Sequence, residues 1–342
     1  MIETIKELCA IHGPSGRERA VREWIVAHLP EDVPFETDPL GNLYVHKKGR
    51  EAPDQTLMIC AHMDEVGLIV TGATDEGYLK FDEIGGIDPA VLIGRPVELE
   101  NGKTGVISVK PLHLSSETER KAIPKMTEMV LDIGAGSKEE AQKAAPPGSF
   151  AAYPYDFQTF GDTRIKCKAL DDRVGCAMML SLIRQTLPYD VEFVFTVQEE
   201  VGTRGAEAAA HRVQPDLALI LETTTAGDIC GVTGTRRACV LGEGPVVSYM
   251  DRRTVYDIDL YRKAMSLAEQ YGIPCQTKTV VAGGNDAGSV QRTGGGARVL
   301  AVSVPTRYLH SPVCVMDETD LESTMRLLNI LVPLLGEEGA SA

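Results

Sequence analysis

The sequence predicts an α/β protein: a mostly parallel sheet sandwiched by helices, with a small β-rich domain inserted into it. Three observations carry this reading. Short apolar runs alternate with amphipathic helical stretches at both ends of the chain. The runs are nearly continuous in apolar residues, as expected of strands buried on both faces. From about Gly67 to Tyr155 the alternation stops, and short strand-and-turn patterns replace it.

The elements follow in order. Met1 to Lys6 opens an amphipathic helix and does not read as a signal peptide. Gly13-Pro14-Ser15-Gly16 is a turn. From Arg17 to Leu29, the residues Val21, Trp24, Ile25 and Leu29 share one helical stripe. Asn42 to Val45 and Thr56 to Cys60 read as strands. In the insertion, Gly67 to Val70, Tyr78 to Phe81, Pro96 to Leu99 and Val106 to Val109 read as strands, with Asn101-Gly102 as a hairpin turn. One helical pattern stands there, from Ser137 to Ala144, with Ser137 as its cap and Glu140 three residues on. Helices are then expected at Asp171 to Leu187, Tyr256 to Tyr271 and Asp317 to Leu335. Strands are expected at Val191 to Val197, Leu217 to Leu221 and Arg298 to Val304. The implied division is a discontinuous domain, 1–66 with 156–342, and an inserted one, 67–155. No internal repeat or low-complexity tract appears.

Composition limits the function. The 342 residues are 43% hydrophobic, enough for one large or two medium cores. A net charge of −15 argues against nucleic acid, which selects basic patches. It favours solubility and weakly attracts cationic ligands. No apolar run reaches the roughly 18 residues of a membrane span. The eight cysteines form no C-x-x-C pair and sit mostly in apolar stretches. They read as reduced, buried thiols of a cytoplasmic protein.

The chemistry gathers at Glu199-Glu200, which ends the apolar run beginning at Val191. Two carboxylates at the end of a buried strand are costly unless compensated. A cation would compensate them, one carboxylate ligating it while the other handles protons. Four further places carry metal-type side chains. His62 follows a buried strand and is a natural zinc or cobalt ligand, and Asp64 is placed to accept its other N–H. Alone, this pair reads better as a hydrogen-bonded strand-end histidine. Asp171-Asp172 opens a helix; capping accounts for one aspartate and leaves the other free to bridge metals. Glu222 ends another apolar strand, and His310 follows a third. A lone histidine at that place is more often structural. Together, two histidines and three carboxylates are the ligand set of a two-metal hydrolase with one bridging carboxylate. Open α/β sheets place such sites at strand carboxyl ends.

This order of H-x-D, D, E-E, D or E, and H resembles the co-catalytic two-zinc exopeptidases. Asp171 lies 109 positions after His62, and that long interval resembles the tetrahedral (TET) aminopeptidases. That family includes glutamyl and deblocking aminopeptidases and proteins labelled endoglucanase M. The resemblance runs over the whole chain, from Gly13-Pro14-Ser15-Gly16-Arg17-Glu18 and Asp38-Pro39-Leu40-Gly41-Asn42 to Ile84-Gly85-Gly86-Ile87-Asp88, Gly94-Arg95-Pro96-Val97 and Gly283-Gly284-Asn285-Asp286-Ala287.

The resemblance implies a metal-dependent aminopeptidase acting on short peptides with a free N-terminus. It implies two divalent ions, zinc or cobalt. His62 and Glu222 would be terminal ligands of one ion, Glu200 and His310 of the other, with Asp171 bridging. Glu199 would be the general base and Asp64 the partner of His62. Glu222 departs from the pattern, since many members carry Asp there. The insertion would build subunit contacts, as in relatives that form tetrahedral dodecamers; His113 within it reads as structural.

Substrate choice is less determined. Arg252 and Arg253 lie in the region that lines the side-chain pocket in the family, and either could pair with an acidic N-terminal residue. Two solvated arginines are an equal reading. A dipeptidase or amino-acid deacylase on the same metals is the runner-up. A glycosidase fits poorly, because the chain is only 5% aromatic and its histidines would go unused.

Overall fold

The computed structural model describes residues 1–52 and 55–336. Its centre is four parallel strands, in the order Val191–Thr196, Leu57–His62, Leu217–Thr225 and Arg298–Arg307. Antiparallel strands extend both flanks: Leu43–Lys47 and Phe35–Thr37 on one side, Cys314–Asp317, Arg164–Cys167 and Gln158–Phe160 on the other. The α/β architecture is therefore as expected, with its parallel part confined to the middle of a mixed sheet.

Strand alternation explains why both faces are dry. Along Leu57–His62, Leu57, Ile59 and Ala61 enter one core with the helix Leu170–Ile183. Met58 and Cys60 enter the opposite core, with Ala206, Ala209 and Ala210 of the helix Arg204–Val213. Each buried Leu, Ile or Phe stabilises the fold by about 1.5–3 kcal/mol. Side-chain caps fix two of the other helices. Asp257 accepts from the backbone N–H of Asp259 and Leu260 at the start of Ile258–Gln270. Asp317 does the same for Thr319 at Glu318–Leu335.

Between Gly67 and Ala152 six antiparallel strands close into a barrel, in the order Gly67–Ala73, Leu79–Ile84, Val130–Asp132, Thr104–Ser108, Pro96–Leu99 and Phe150–Ala152. It has its own apolar core, including Leu79, Val97, Ile107 and Leu131. The Asn101-Gly102 hairpin forms as expected, with Gly102 at φ 78°. Ser137 caps Lys138–Ala144 by accepting from the Glu140 N–H. One further helix, Glu117–Arg120, was not legible because it buries none of its residues and so shows no apolar stripe. Among the described residues, no helix is long and apolar enough to cross a membrane.

Candidate metal centre

The carboxyl ends of the four parallel strands converge on one cleft. His62 closes its strand, and Thr196 beside it leads directly into the Gln198–Glu200 turn. Glu222 pairs in register with Ser303, and His310 lies just beyond the end of that neighbouring strand. The expectation that Asp171-Asp172 begins regular helix is corrected. Both have non-helical backbone angles, and the peptide joining them is cis. Regular winding starts after them; Asp172 Oδ1 caps it by accepting from the Gly175 N–H at 3.0 Å, and Asp171 is left to face the cleft, the division of roles expected of the pair.

Asp171 stands between the two histidines. Its Oδ1 lies 3.4 Å from His62 Nε2, and its Oδ2 lies 3.5 Å from His310 Nε2. Glu222 Oε1 is 3.9 Å from His62 Nε2, and Glu200 Oε2 is 3.2 Å from His310 Nε2. The protons on the rings follow from their other nitrogens. His62 Nδ1 is 3.1 Å from the Asp64 carbonyl oxygen, and His310 Nδ1 is 2.7 Å from that of Gly86. A carbonyl can only accept, so each Nδ1 carries a proton, and Nε2 is the nitrogen that faces the carboxylates and is left to ligate an ion.

The Asp64 side chain has a second task. Its carboxylate is 3.5 Å from His62 Nδ1 but accepts from the Glu199 N–H at 3.0 Å and the Glu200 N–H at 3.1 Å. It thus ties the histidine strand to the glutamate turn.

The charge balance calls for cations. Burial, with repulsion from Asp172 and Asp171, pushes Glu222 well above the usual carboxylate range. Burial pushes Glu200 up to about 8, and Glu199 also rises. Burial lowers His310, but the Asp171 and Glu200 carboxylates overcome this and push it up to about 10. Asp171 Oδ1 is buried without a hydrogen-bond partner. Two groups, His62–Asp171–Glu200 and His62–Asp172–Glu222, have ligand atoms all within 4.8 Å of one another. The residues present therefore fit divalent metal ions, with imidazole and carboxylate donors that suit zinc or cobalt.

The family profile described as M42 glutamyl aminopeptidase matches residues 41–327. The chain belongs to this family. The M42 aminopeptidase, a hydrolase of peptide bonds, is 32% identical over 342 residues to the lysyl aminopeptidase of Pyrococcus furiosus, covering 96% of each chain. Among solved structures it superposes on the aminopeptidase APDkam598 of Desulfurococcus kamchatkensis with TM-score 0.93 and 33% identity, covering 100% of this chain and 98% of the other. It is 37% identical to the TET1 peptidase of Pyrococcus horikoshii, with TM-score 0.85 and 98% of each chain covered; that peptidase can assemble into a tetrahedron or a large octahedral shell.

Beyond the carboxylates, the cleft of the M42 aminopeptidase extends over Thr223, Thr224, Ser248, Asp251 and Lys278, with a volume of about 240 Å³. Lys278 escaped the sequence reading. It is the only lysine or arginine among the described lining residues, and no described ion pair engages it. Arg252 and Arg253 are not brought into this lining; both are exposed. Asp251 Oδ1 accepts from the N–H groups of Arg253 at 2.7 Å and Thr254 at 2.8 Å, and Arg253 lays its methylenes against Gly284. His113 is exposed in the turn Leu112–Leu114.

A buried ion cluster was also missed. Glu65 accepts from Lys168 at 2.7 and 2.8 Å, and Arg173 Nη2 is 3.5 Å away. Arg173 further donates to the carbonyls of Met63 and Ile11. Lys168 and Arg173 are fully buried.

Proposed function

We propose that this M42 aminopeptidase removes N-terminal residues from short peptides through two divalent metal ions and Glu199. His62 and Glu222 would hold one ion, His310 and Glu200 the other, and Asp171 would bridge them. The observation that carries this is Asp171, whose two oxygens face the two histidine Nε2 atoms. Bound ions supply Lewis-acid polarisation of the scissile carbonyl and lower the pKa of a water. Glu199, at the cleft wall, takes the proton of the attacking water and returns it to the leaving amine. Asp64 keeps Glu199 and His62 in register through the bonds described above.

Preference for acidic N-terminal residues is part of the proposal, with its basis moved from Arg252 and Arg253 to Lys278. The Lys278 ammonium, beside threonine and serine hydroxyls, suits a substrate carboxylate. The segment 67–155 is proposed as a domain apart from 1–66 and 156–342, supported by its separate core. It is also the proposed self-association surface toward a tetrahedral dodecamer, since it exposes Leu112, Leu114 and Ile123. A reducing cytoplasm is the proposed compartment, consistent with free, buried Cys9, Cys60, Cys167, Cys176, Cys239 and Cys314.

The test is a panel of aminoacyl substrates on chelated enzyme reloaded with single metals. Activity should vanish with the chelator and return with zinc or cobalt. Glu199→Gln should keep its metal but lose about 10²–10⁴-fold in kcat. Survival of turnover in that variant refutes the base assignment. A higher rate on Leu-leading than on Glu-leading substrates refutes the acidic preference.

A further inference from the structure

Three consecutive backbone N–H groups, those of Gln198, Glu199 and Glu200, are each collected by a buried carboxylate. Asp64 takes the second and third. The first is taken by a residue far away in sequence: Glu18 Oε1 accepts from Gln198 N at 3.1 Å and from Gly16 N at 2.7 Å. Glu18 is only 4% exposed. Ser15 then closes the arrangement, its Oγ donating to Asp64 Oδ2 at 2.6 Å. The Gly13 N–H donates to Glu65 at 3.0 Å, anchoring the same segment on the other side of Asp64.

The turn needs such support. Gln198 sits at φ 56°, in the left-handed region that a residue with a side chain seldom adopts. Successive N–H groups pointing to one side form an anion-binding concavity. Here two carboxylates of the protein fill it. A carboxylate buried at 4% exposure is costly unless it is hydrogen-bonded, and the Gly16 and Gln198 N–H groups both donate to its Oε1. Glu18 is therefore placed to fix the turn rather than to react.

We propose that Glu18, assisted by Ser15, is a positioning residue for catalysis: the N-terminal Gly13–Glu18 segment holds the backbone from which Glu199 projects. The inference rests on Glu199 being the general base. What matters is the reach of an acceptor oxygen to Gln198, not the charge of the group. Glutamine keeps the reach and loses the charge; aspartate keeps the charge and falls one methylene short.

The experiment compares Glu18→Gln with Glu18→Asp in the full-length enzyme, loaded with zinc or cobalt. Kcat, KM, metal content and thermal midpoint are measured for each. Glu18→Asp should lose about ten-fold or more in kcat, the scale on which misplacement of a reacting group acts. Its KM should stay within about two-fold and its metal content unchanged. Glu18→Gln should recover most of that kcat. Ser15→Ala should show a smaller loss of the same kind. Wild-type kcat in Glu18→Asp, or equal impairment in both variants, overturns the proposal. So does a loss of metal that accounts for the fall in kcat. Glu199→Gln separates the two assignments. If it leaves turnover intact, the base assignment itself has failed. If it removes turnover while Glu18→Asp behaves as wild type, only the positioning role has failed.

Discussion

Replacing Glu65 by glutamine should be among the most damaging single-atom changes in this protein. Glu65 is 2% exposed and answers two fully buried cations, Lys168 and Arg173. At 2.7 Å and an effective dielectric of about 20, the Lys168 pair has a gross attraction of about 6 kcal/mol. Glutamine retains one acceptor oxygen, so part of the bonding survives. The net cost of stranding a buried charge is about 3–5 kcal/mol. Arg173 keeps its bonds to the Met63 and Ile11 carbonyls, whereas Lys168 has Glu65 as its only partner among the described bonds. Lys168→Met should therefore cost less than Glu65→Gln, because Glu65 would still face Arg173 and the Gly13 N–H. The assay is urea unfolding at equal protein concentration, comparing midpoints with the slope held in common. The effect has a pH signature. Burial raises the Glu65 pKa, but Lys168 and Arg173 overcome it and hold the group below its ordinary value. Its contribution is then complete above the unfolded value of about 4.3 and is lost as pH falls through the lower folded value. A Glu65→Gln cost under about 1 kcal/mol at neutral pH, or a larger cost for Lys168→Met, refutes the reasoning.

Other outcomes are expected. Asp228 accepts from Arg307 Nε at 2.7 Å and from the Leu241 N–H at 3.2 Å; burial raises its pKa, but these bonds overcome it and leave it lowered. Asp228→Asn should destabilise by about 1–3 kcal/mol at neutral pH, and its deficit should close as the medium is acidified below about pH 4, followed by thermal melts across pH. Gly175→Ala, ordinarily favourable in a helix, should destabilise by about 1–3 kcal/mol, because its Cβ would fall 2.2 Å from Asp172 Oδ2. Bound metal measured by mass spectrometry should fall in the same variant if Asp172 contributes to the centre. Lys278→Met should lower kcat/KM for Glu-leading substrates by about ten-fold or more while leaving Leu-leading ones within about three-fold, read from paired progress curves. Equal losses on both substrates would assign Lys278 a role other than side-chain recognition.

Much of the candidate site was legible because each group follows an apolar run. His62, Glu199, Glu200 and His310 lie at or beyond strand ends, where an α/β sheet opens its cleft, whereas Glu222, expected to end its strand, lies within it, since the strand runs on to Thr225. The closed barrel was legible only as a β-rich stretch, since strand order depends on pairings between distant segments such as Leu68 with Ala151. The Glu65 cluster left no local trace: Lys168 is 103 positions from its partner, and a lone lysine beside an apolar strand reads as a surface residue. Arg252 and Arg253 looked suitable by type, but the turn built on the Asp251 carboxylate leaves them at the surface. Lys278 carried no motif; the fold alone brings it to the cleft.

The bond from His310 Nδ1 to the Gly86 carbonyl bears on how such a protein can be recombined. Gly86 belongs to the inserted segment, just after the strand Leu79–Ile84, while His310 belongs to the host sheet's final loops. The insert therefore supplies a backbone acceptor that sets the tautomer of a histidine it does not contain. A chimera that exchanges the barrel for another of equal size must reproduce one carbonyl at one place. The junction of insert and host is thus part of the candidate metal centre itself.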